Sequence, residues 1–527
     1  MARHAPGARP RLALALGCVA VLLAGCGPRV RPPAEPAPAR GPTVDALIRC
    51  GSYACLRQAV DLARSQVSRD DPGARHDLAR VLLLLALREK RLGLSGGTSL
   101  TSAEAHLADC GADCAVLARL PDVVPLAQPL AEGITTDDDF FALRRGIARL
   151  PRTADAWQQL VGDGPLRDPA LAVFHLAVFA LRGDAPAGEL SREALLERHA
   201  GSPLVLFAAS LERGRSDLAR EALALEPGFV EAHLLLGRAQ AEAQRFGDAR
   251  RHYEQIAHAL PESAAAQMAL GDVFFVMGNL PRALATYDRV IARRASHHAL
   301  LRKGIILSVM DRPDEALPVL ARVIESHWLP GEAHYWTARN QLRLGALSKA
   351  AASADVAKRS LAGDPATRLV AGQVAVAQGR WDAAETDLTA AVSISRAKKE
   401  LAGSEPLCEG LFLLGRLDAQ RENWPSGLAR FEGSRACYRV ARADLDRREE
   451  RIRGWALAPQ DERLLLLSND QEKGRAEEGL AAAAYHAALC ALRAGQPEAA
   501  AALAQEAAKS DAYRTKAEAV LAELTRE

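Results

Sequence analysis

The stretch His233–Pro261, HLLLGRAQAEAQRFGDARRHYEQIAHALP, is followed by Gln267–Arg294, QMALGDVFFVMGNLPRALATYDRVIARR, and the pair decides the fold. In the first, Gly237 precedes Ala249 and Tyr253; in the second, Gly271, Ala283 and Tyr287 repeat the set 34 residues on. Gly304 and Ala316 continue it, then Ala338, Gly345 and Ala350, then Gly372, Gly379 and Ala384. Each period holds two amphipathic segments with a tight turn between them, which predicts paired antiparallel helices. The small residue of the first helix and the alanine of the second are expected where the helices cross, since larger side chains there would separate the backbones. Gly278, Gly345 and Gly379 are placed to supply the left-handed conformation that ends the first helix. Tyr253 and Tyr287 are expected to pack between successive units.

This pattern resembles the tetratricopeptide repeat, and the resemblance implies an all-α solenoid of helix–turn–helix units behind an N-terminal leader. It is clear over about 230–400 and weaker to about 510. There Leu414-Gly415 and Phe431 form a unit with Gly427 where alanine is usual, and Ala488, Gly495 and Ala500 form a last one. Residues Gly454–Asp470, GWALAPQDERLLLLSND, break the period and are expected to be an irregular connection. Ala512–Glu527 suits a capping helix, which a solenoid needs at its end. Residues 44–200 read as an N-terminal helical region of degenerate repeats, continuous with the solenoid of 201–527.

The N-terminus has another character. Arg3, Arg9 and Arg11 precede LALALGCVAVLL, an apolar run that at ~1.5 Å per residue is too short to cross a ~30 Å hydrocarbon core. A basic start, a short apolar middle and small residues at the end describe a signal peptide over 1–25. Its end, Leu23-Ala24-Gly25-Cys26, resembles the lipobox of bacterial lipoproteins. That resemblance implies acylation of the Cys26 thiol, cleavage before it and a stable multi-chain anchor. Gly27 rather than aspartate implies the outer membrane, by analogy with enteric sorting. Residues 26–43 carry six prolines from Pro28 to Pro42, a tether that favours polyproline II.

Charge is nearly balanced, 67 basic against 65 acidic residues, which gives no electrostatic case for nucleic acid. For an exported chain, the close pairs Cys50/Cys55 and Cys110/Cys114 suggest disulfides, each pair closing on itself or the two linking helices. Their spacings miss the usual zinc form. Cys408, Cys437 and Cys490 leave at least one thiol unpaired.

No H-E-x-x-H, G-x-S-x-G or P-loop is present, and no G-x-G-x-x-G follows a strand, so no catalytic role and no cofactor are expected. His297, His298, His327 and His334 read as ordinary histidines rather than metal ligands, and Asp137–Asp139 as a helix cap rather than a calcium site. What the repeat resemblance implies is a concave groove that holds a partner segment. Three residues before the small position stand Leu234, Met268, Leu301, Tyr335, Leu369, Phe412 and Tyr485. Just after it stand Arg238, Asp272, Ile305, Arg339, Gln373, Arg416 and Leu489. The groove is therefore expected to be an apolar stripe flanked by arginines, suited to an amphipathic or acidic segment of an envelope protein. The lysine–asparagine set of the chaperone-tail carboxylate clamp is missing. A rival class is a glycan-capturing lipoprotein resembling the SusD group; the 5% aromatic content is low for its stacking platforms.

Overall fold

The small positions of the repeat explain how its helices pair. A β-carbon on Gly271 would lie 2.9 Å from the Tyr287 ring, one on Gly304 2.5 Å from Leu320, and one on Gly372 2.6 Å from Leu388. Gly237 beneath Tyr253 and Gly415 beneath Phe431 repeat the contact. The large residue sixteen positions on thus seats against bare backbone of its own unit. Tyr253 and Tyr287, expected between units, lie against the glycine of their own unit, where the absent side chain leaves room for a ring. The alanines twelve positions on, Ala249, Ala283, Ala316, Ala350 and Ala384, are all fully buried.

The computed structural model describes residues 42–67, 71–94, 98–108, 114–124, 154–182, 188–211, 215–293, 296–327, 329–455 and 457–525. Cys26, Cys110 and Asp137–Asp139 lie outside them. Among the described residues there is no β-strand, and no helix is long and apolar enough to cross a membrane. The N-terminal helices are α1 (Val44–Cys50), α2 (Tyr53–Gln66), α3 (Pro72–Leu92), α4 (Thr98–Ala108), α5 (Ala154–Val161), α6 (Gly164–Arg167), α7 (Pro169–Arg182), α8 (Arg192–Arg198), α9 (Pro203–Ser210) and α10 (Ser216–Leu225). Five regular units follow: α11 (Val230–Glu242) with α12 (Phe246–Ala259), α13 (Ala264–Val276) with α14 (Leu280–Arg293), α15 (His297–Val309) with α16 (Pro313–Glu325), α17 (Pro330–Arg343) with α18 (Leu347–Ser360), and α19 (Pro365–Ala377) with α20 (Trp381–Arg396).

The sixth and seventh units depart from the pattern. α21 (Glu405–Gln420) pairs with α22 (Trp424–Gly454), and α23 (Pro459–Arg493) pairs with α24 (Pro497–Ala507) before the capping helix α25 (Arg514–Leu524). α22 has 31 residues and α23 has 35, so they run about 47 and about 53 Å, roughly twice the length of the regular helices or more. The stretch 454–470, expected to be irregular, is a short turn followed by helix from Pro459. Proline at the first helical position with Asp461 and Glu462 in the first turn starts that helix. Gly427 replaces alanine because α23 also packs there: a β-carbon on it would meet the Cys490 sulfur at 3.2 Å.

The turn inside each regular or extended unit has one geometry. Gln244, Gly278, Asp311, Gly345, Gly379, Glu422 and Gly495 all have φ between 57° and 72°. The amide one residue further on reaches back five positions, as from Asn279 to Phe274 O at 2.8 Å and from Asn423 to Asp418 O at 2.9 Å. This is the Schellman closure. Three of the seven turns adopt it without glycine, and a side chain in this region costs about 1–2 kcal/mol. Gln244→Gly and Glu422→Gly should therefore each raise stability, by about 0.5–1 kcal/mol after the glycine's own entropy loss. Gly345→Ala should lower it, all read as shifts in thermal melting.

Thr43–Glu527 is one compact unit, and a buried ion pair joins its N-terminal helices to the repeats. Arg88 on α3 donates through Nε and Nη2 to both carboxylate oxygens of Glu231 on α11, and through Nη1 to the Gly51 carbonyl. Both side chains are essentially without solvent contact, and the guanidinium lies 4.4 Å above the Phe229 ring. Arg91 beside it is also buried, which brings its pKa down to about 10 despite the pull of Glu231. Removing one partner of such a pair strands a buried charge, at about 3–5 kcal/mol. Arg88→Met should melt well below the parent, and the double change Arg88→Met/Glu231→Leu should recover much of that loss.

Candidate functional site

The long hairpin of α22 and α23 builds a site that short units would not have. Its strands of charge are zipped across the pair: Arg442 to Glu477 at 2.8 Å, Arg448 to Glu472 at 3.0 Å and Lys473 to Asp446 at 2.8 Å. The buried Asn469 amide donates to Leu445 O at 3.0 Å. At its tip the hairpin returns to the first two regular units. Trp455 meets Phe246 edge to face at 4.9 Å, Ile452 and Leu465 join the buried cluster of Tyr253 and Tyr287, and Ser468 lies over Gly278. Asp461, nearly buried, is held by Arg250, with Arg282 at 3.7 Å. The disulfide Cys408–Cys437 ties α21 to the other end of the same hairpin.

Between this strap and the repeats lies a cavity of about 620 Å³. On the repeat side its wall is Val309, Trp336, Arg339 and Arg343, with Glu405, Cys408 and Glu409 of α21 alongside. The hairpin supplies Tyr438, Ala441, Asp444 and Leu445 from α22, and Glu472, Arg475 and Ala476 from α23. Trp336 also borders a second cavity of about 480 Å³ with Tyr335, Leu329 and Leu361.

Arg339 is already engaged. Its guanidinium lies 5.4 Å from the Trp336 ring centre and 5.8 Å from that of Tyr335. It donates to the Tyr335 hydroxyl at 2.9 Å and to Glu405 at 3.4 Å. Arg343 donates to Ser308 O at 2.6 Å and faces Asp311 at 3.5 Å. The Tyr438 hydroxyl donates to Glu409 Oε2 at 3.1 Å. Burial pushes the Glu409 carboxyl above the usual carboxylate range, against the pull of that hydrogen bond.

The structure redistributes the residues expected to line a groove. Tyr335 and Arg339 stand at the cavities, half-buried. Leu234, Met268, Leu301 and Leu369 are buried, at 3% exposure or less, and carry no accessible surface. Three residues is about 300° of helix, so these positions lie only about 60° from the glycine that faces the second helix, and the seam covers them. Arg238 is exposed and paired with Glu242 at 2.9 Å. Phe412 and Tyr485 belong to an aromatic cluster in the last two units: Phe412 and Phe431 each lie 5.4 Å from His486 and 5.6 Å from one another, and Tyr485 lies 5.7 Å from Tyr513. Burial, then Arg416 and Lys516, brings the His486 pKa down to about 4, so the ring is neutral at pH 7. Glu405, Glu409, Phe412 and Arg416 recur at helical spacing on α21, so one face leads from the cavity to that cluster.

Cys50 and Cys55 are disulfide-bonded to each other, Cys114 is in a disulfide, and Cys490 is a buried free thiol. Among the described residues no group of three or more metal-ligating side chains is assembled; His298 accepts from Arg302 at 3.3 Å. The cavity residues Trp336, Glu409, Tyr438 and Arg475 were outside the sequence expectations. For Arg475 the signal was the proline–acid start at Pro459, which lengthens α23 into the wall.

Residues 234–298 and 301–365 match the tetratricopeptide-repeat family. No curated protein matches it. Among solved structures it is similar to YrrB, described as a TPR protein with an unusual peptide-binding site, at 16% identity over 35% of this chain and 96% of that one, with a TM-score of 0.31. PilW, described as a widely conserved type IV pilus biogenesis factor, aligns at 21% identity over 36% and 88%, TM-score 0.32. MamA from Desulfovibrio magneticus RS-1 aligns at 18% identity over 32% and 97%, TM-score 0.31. These likenesses concern stacked helical pairs alone.

If Asp461 clamps the hairpin tip, Asp461→Ala should leave the half-buried Arg250 with only Glu254 of its own helix, at 3.6 Å, and loosen the tip selectively. Amide exchange over 445–470 should speed up about tenfold or more, while α15–α20 keep their protection.

Proposed function

We propose that this chain is a lipid-anchored scaffold of the bacterial cell envelope, and that the cavity between its repeats and its long hairpin holds a segment of a partner protein in the assembly of an envelope complex. One observation carries the binding part: a cavity of about 620 Å³ whose walls come from helices fixed at both ends. It combines a half-buried Trp336 with charged groups that converge on it. Recognition of a segment needs both: apolar and aromatic area for affinity, and a few placed polar groups for register. Both walls are helical and braced, so the site is formed before the partner arrives and little ordering is needed on binding. The anchor rests on the lipobox resemblance at Cys26, and the outer-membrane assignment on Gly27.

The test is recovery of the partner from cross-linked, gently solubilised membranes. Trp336→Ala combined with Val309→Glu should reduce that recovery about tenfold or more, the size of a lost hot spot, with the far-ultraviolet circular dichroism unchanged. Recovery equal to the parent's would move the site elsewhere. Cys26→Ser should shift the protein to the soluble fraction, and full retention on membranes would sink the anchor.

A further inference from the structure

Four carboxylates line the cavity, and three of them already have a cation. Glu405 faces Arg339 at 3.4 Å, Glu472 faces Arg448 at 3.0 Å, and Asp444 is paired with Arg447. Glu409 differs. Its one side-chain hydrogen-bond partner among the described residues is the neutral Tyr438 hydroxyl at 3.1 Å; no cation stands within 4.0 Å of it, and the more distant Arg416 attracts it while Glu405 repels it. It is also half-buried, and burial raises its pKa, so its charge is poorly solvated. The arginines are in the opposite condition. Arg339 and Arg343 are spoken for by Glu405, Tyr335, Ser308 O and Asp311. Arg475 is exposed and has no carboxylate within 4.0 Å among the described residues. It sits in water, where a new ion pair contributes only about 0–1 kcal/mol.

A desolvated, unpaired charge gains far more from a counter-ion than a solvated one does. The aromatic walls act in the same sense. Trp336 and Tyr438 line the cavity that Glu409 borders, and an aromatic face suits both the aliphatic stem and the cationic head of a long basic side chain.

We propose that the segment held in this cavity presents an arginine or lysine side chain, which pairs with Glu409 beneath the Tyr438 hydroxyl and packs its stem along Trp336. This rests on the reading of the cavity as a partner-segment site. It reverses the charge preference expected from the sequence, where arginines flanking the groove pointed to an acidic segment.

The probes are three capped pentapeptides, acetyl-Ala-Ala-X-Ala-Ala-amide, with X arginine, its neutral isostere citrulline, or glutamate. They are titrated into the full-length protein, with binding read by calorimetry and by quenching of tryptophan fluorescence. The arginine peptide should bind about tenfold more tightly than the citrulline one, the worth of one partly buried ion pair. Glu409→Gln, whose side-chain carbonyl still accepts from Tyr438, should abolish that difference; Tyr438→Phe, which keeps the carboxylate, should retain it. Equal binding of arginine and citrulline peptides, or a preference that survives Glu409→Gln, overturns the proposal. Preferred binding of the glutamate peptide, with quenching lost in Trp336→Phe, overturns the charge assignment and leaves the cavity as a segment site. If none of the three binds by about 10 mM, both readings fail.

Discussion

Everything in the repeats depends on a missing side chain. Where the first helix of a unit carries glycine, the second presses a tyrosine, leucine or phenylalanine onto bare backbone, as at Gly271 with Tyr287 and Gly304 with Leu320. Interiors are close-packed, so a methyl group at that point has nowhere to go. The contact sets the distance and angle of each pair, and the unit-to-unit step follows from it. In the fourth unit the same two positions are Ala338 and Ala354, two small residues that share one buried cluster. The Schellman turn sets the direction of the second helix in every unit, even where Gln244 or Glu422 must carry the left-handed strain.

On that scaffold the sixth and seventh units introduce the departure that makes a site. Lengthening α22 at its C-terminal end and α23 at its N-terminal end adds a hairpin without disturbing the pairing near Gly415 and Phe431. The added turns have nothing of their own to bury, so they need another apolar surface. They find it at the first two regular units, through Ile452, Trp455 and Leu465, and Asp461 brings its charge to Arg250 there. The middle units are bridged but not filled. The space left beneath the bridge, bordered by Trp336 and Tyr438, is the cavity.

Much of the fold could be read from residue order, because close helix packing demands small residues and repeats the demand every 34 positions. The hairpin could not be read so easily. RLLLLSND reads as part of an irregular connection, and its helix is seated by the contacts of Leu465 and Ser468 with Gly278, nearly two hundred residues away in sequence. The accessible groove suffered a related error. Counting back from the small residue picks out one helical stripe, yet that stripe lies beside the seam in the early units and is covered. Only where the side chain is large, as at Tyr335, does part of it reach the surface.

The electrostatics of the site illustrate why residue type alone misleads. Arg339 reads as a free cation on a groove; in the structure it is held between two rings and paired with Glu405, 66 residues away. A guanidinium so placed acts as part of the wall, rigid and nearly neutral to an approaching ligand. Glu409 reads as an unremarkable helix acid, yet the hairpin brings the Tyr438 hydroxyl to it and leaves it half-buried. Which charge remains to be satisfied is decided by the pairing that folding has already completed, and here that leaves a carboxylate. The arginines of the cavity are thus paired inside the protein or exposed at its edge, and Glu409 is the one lining carboxylate with no cation within 4.0 Å among the described residues.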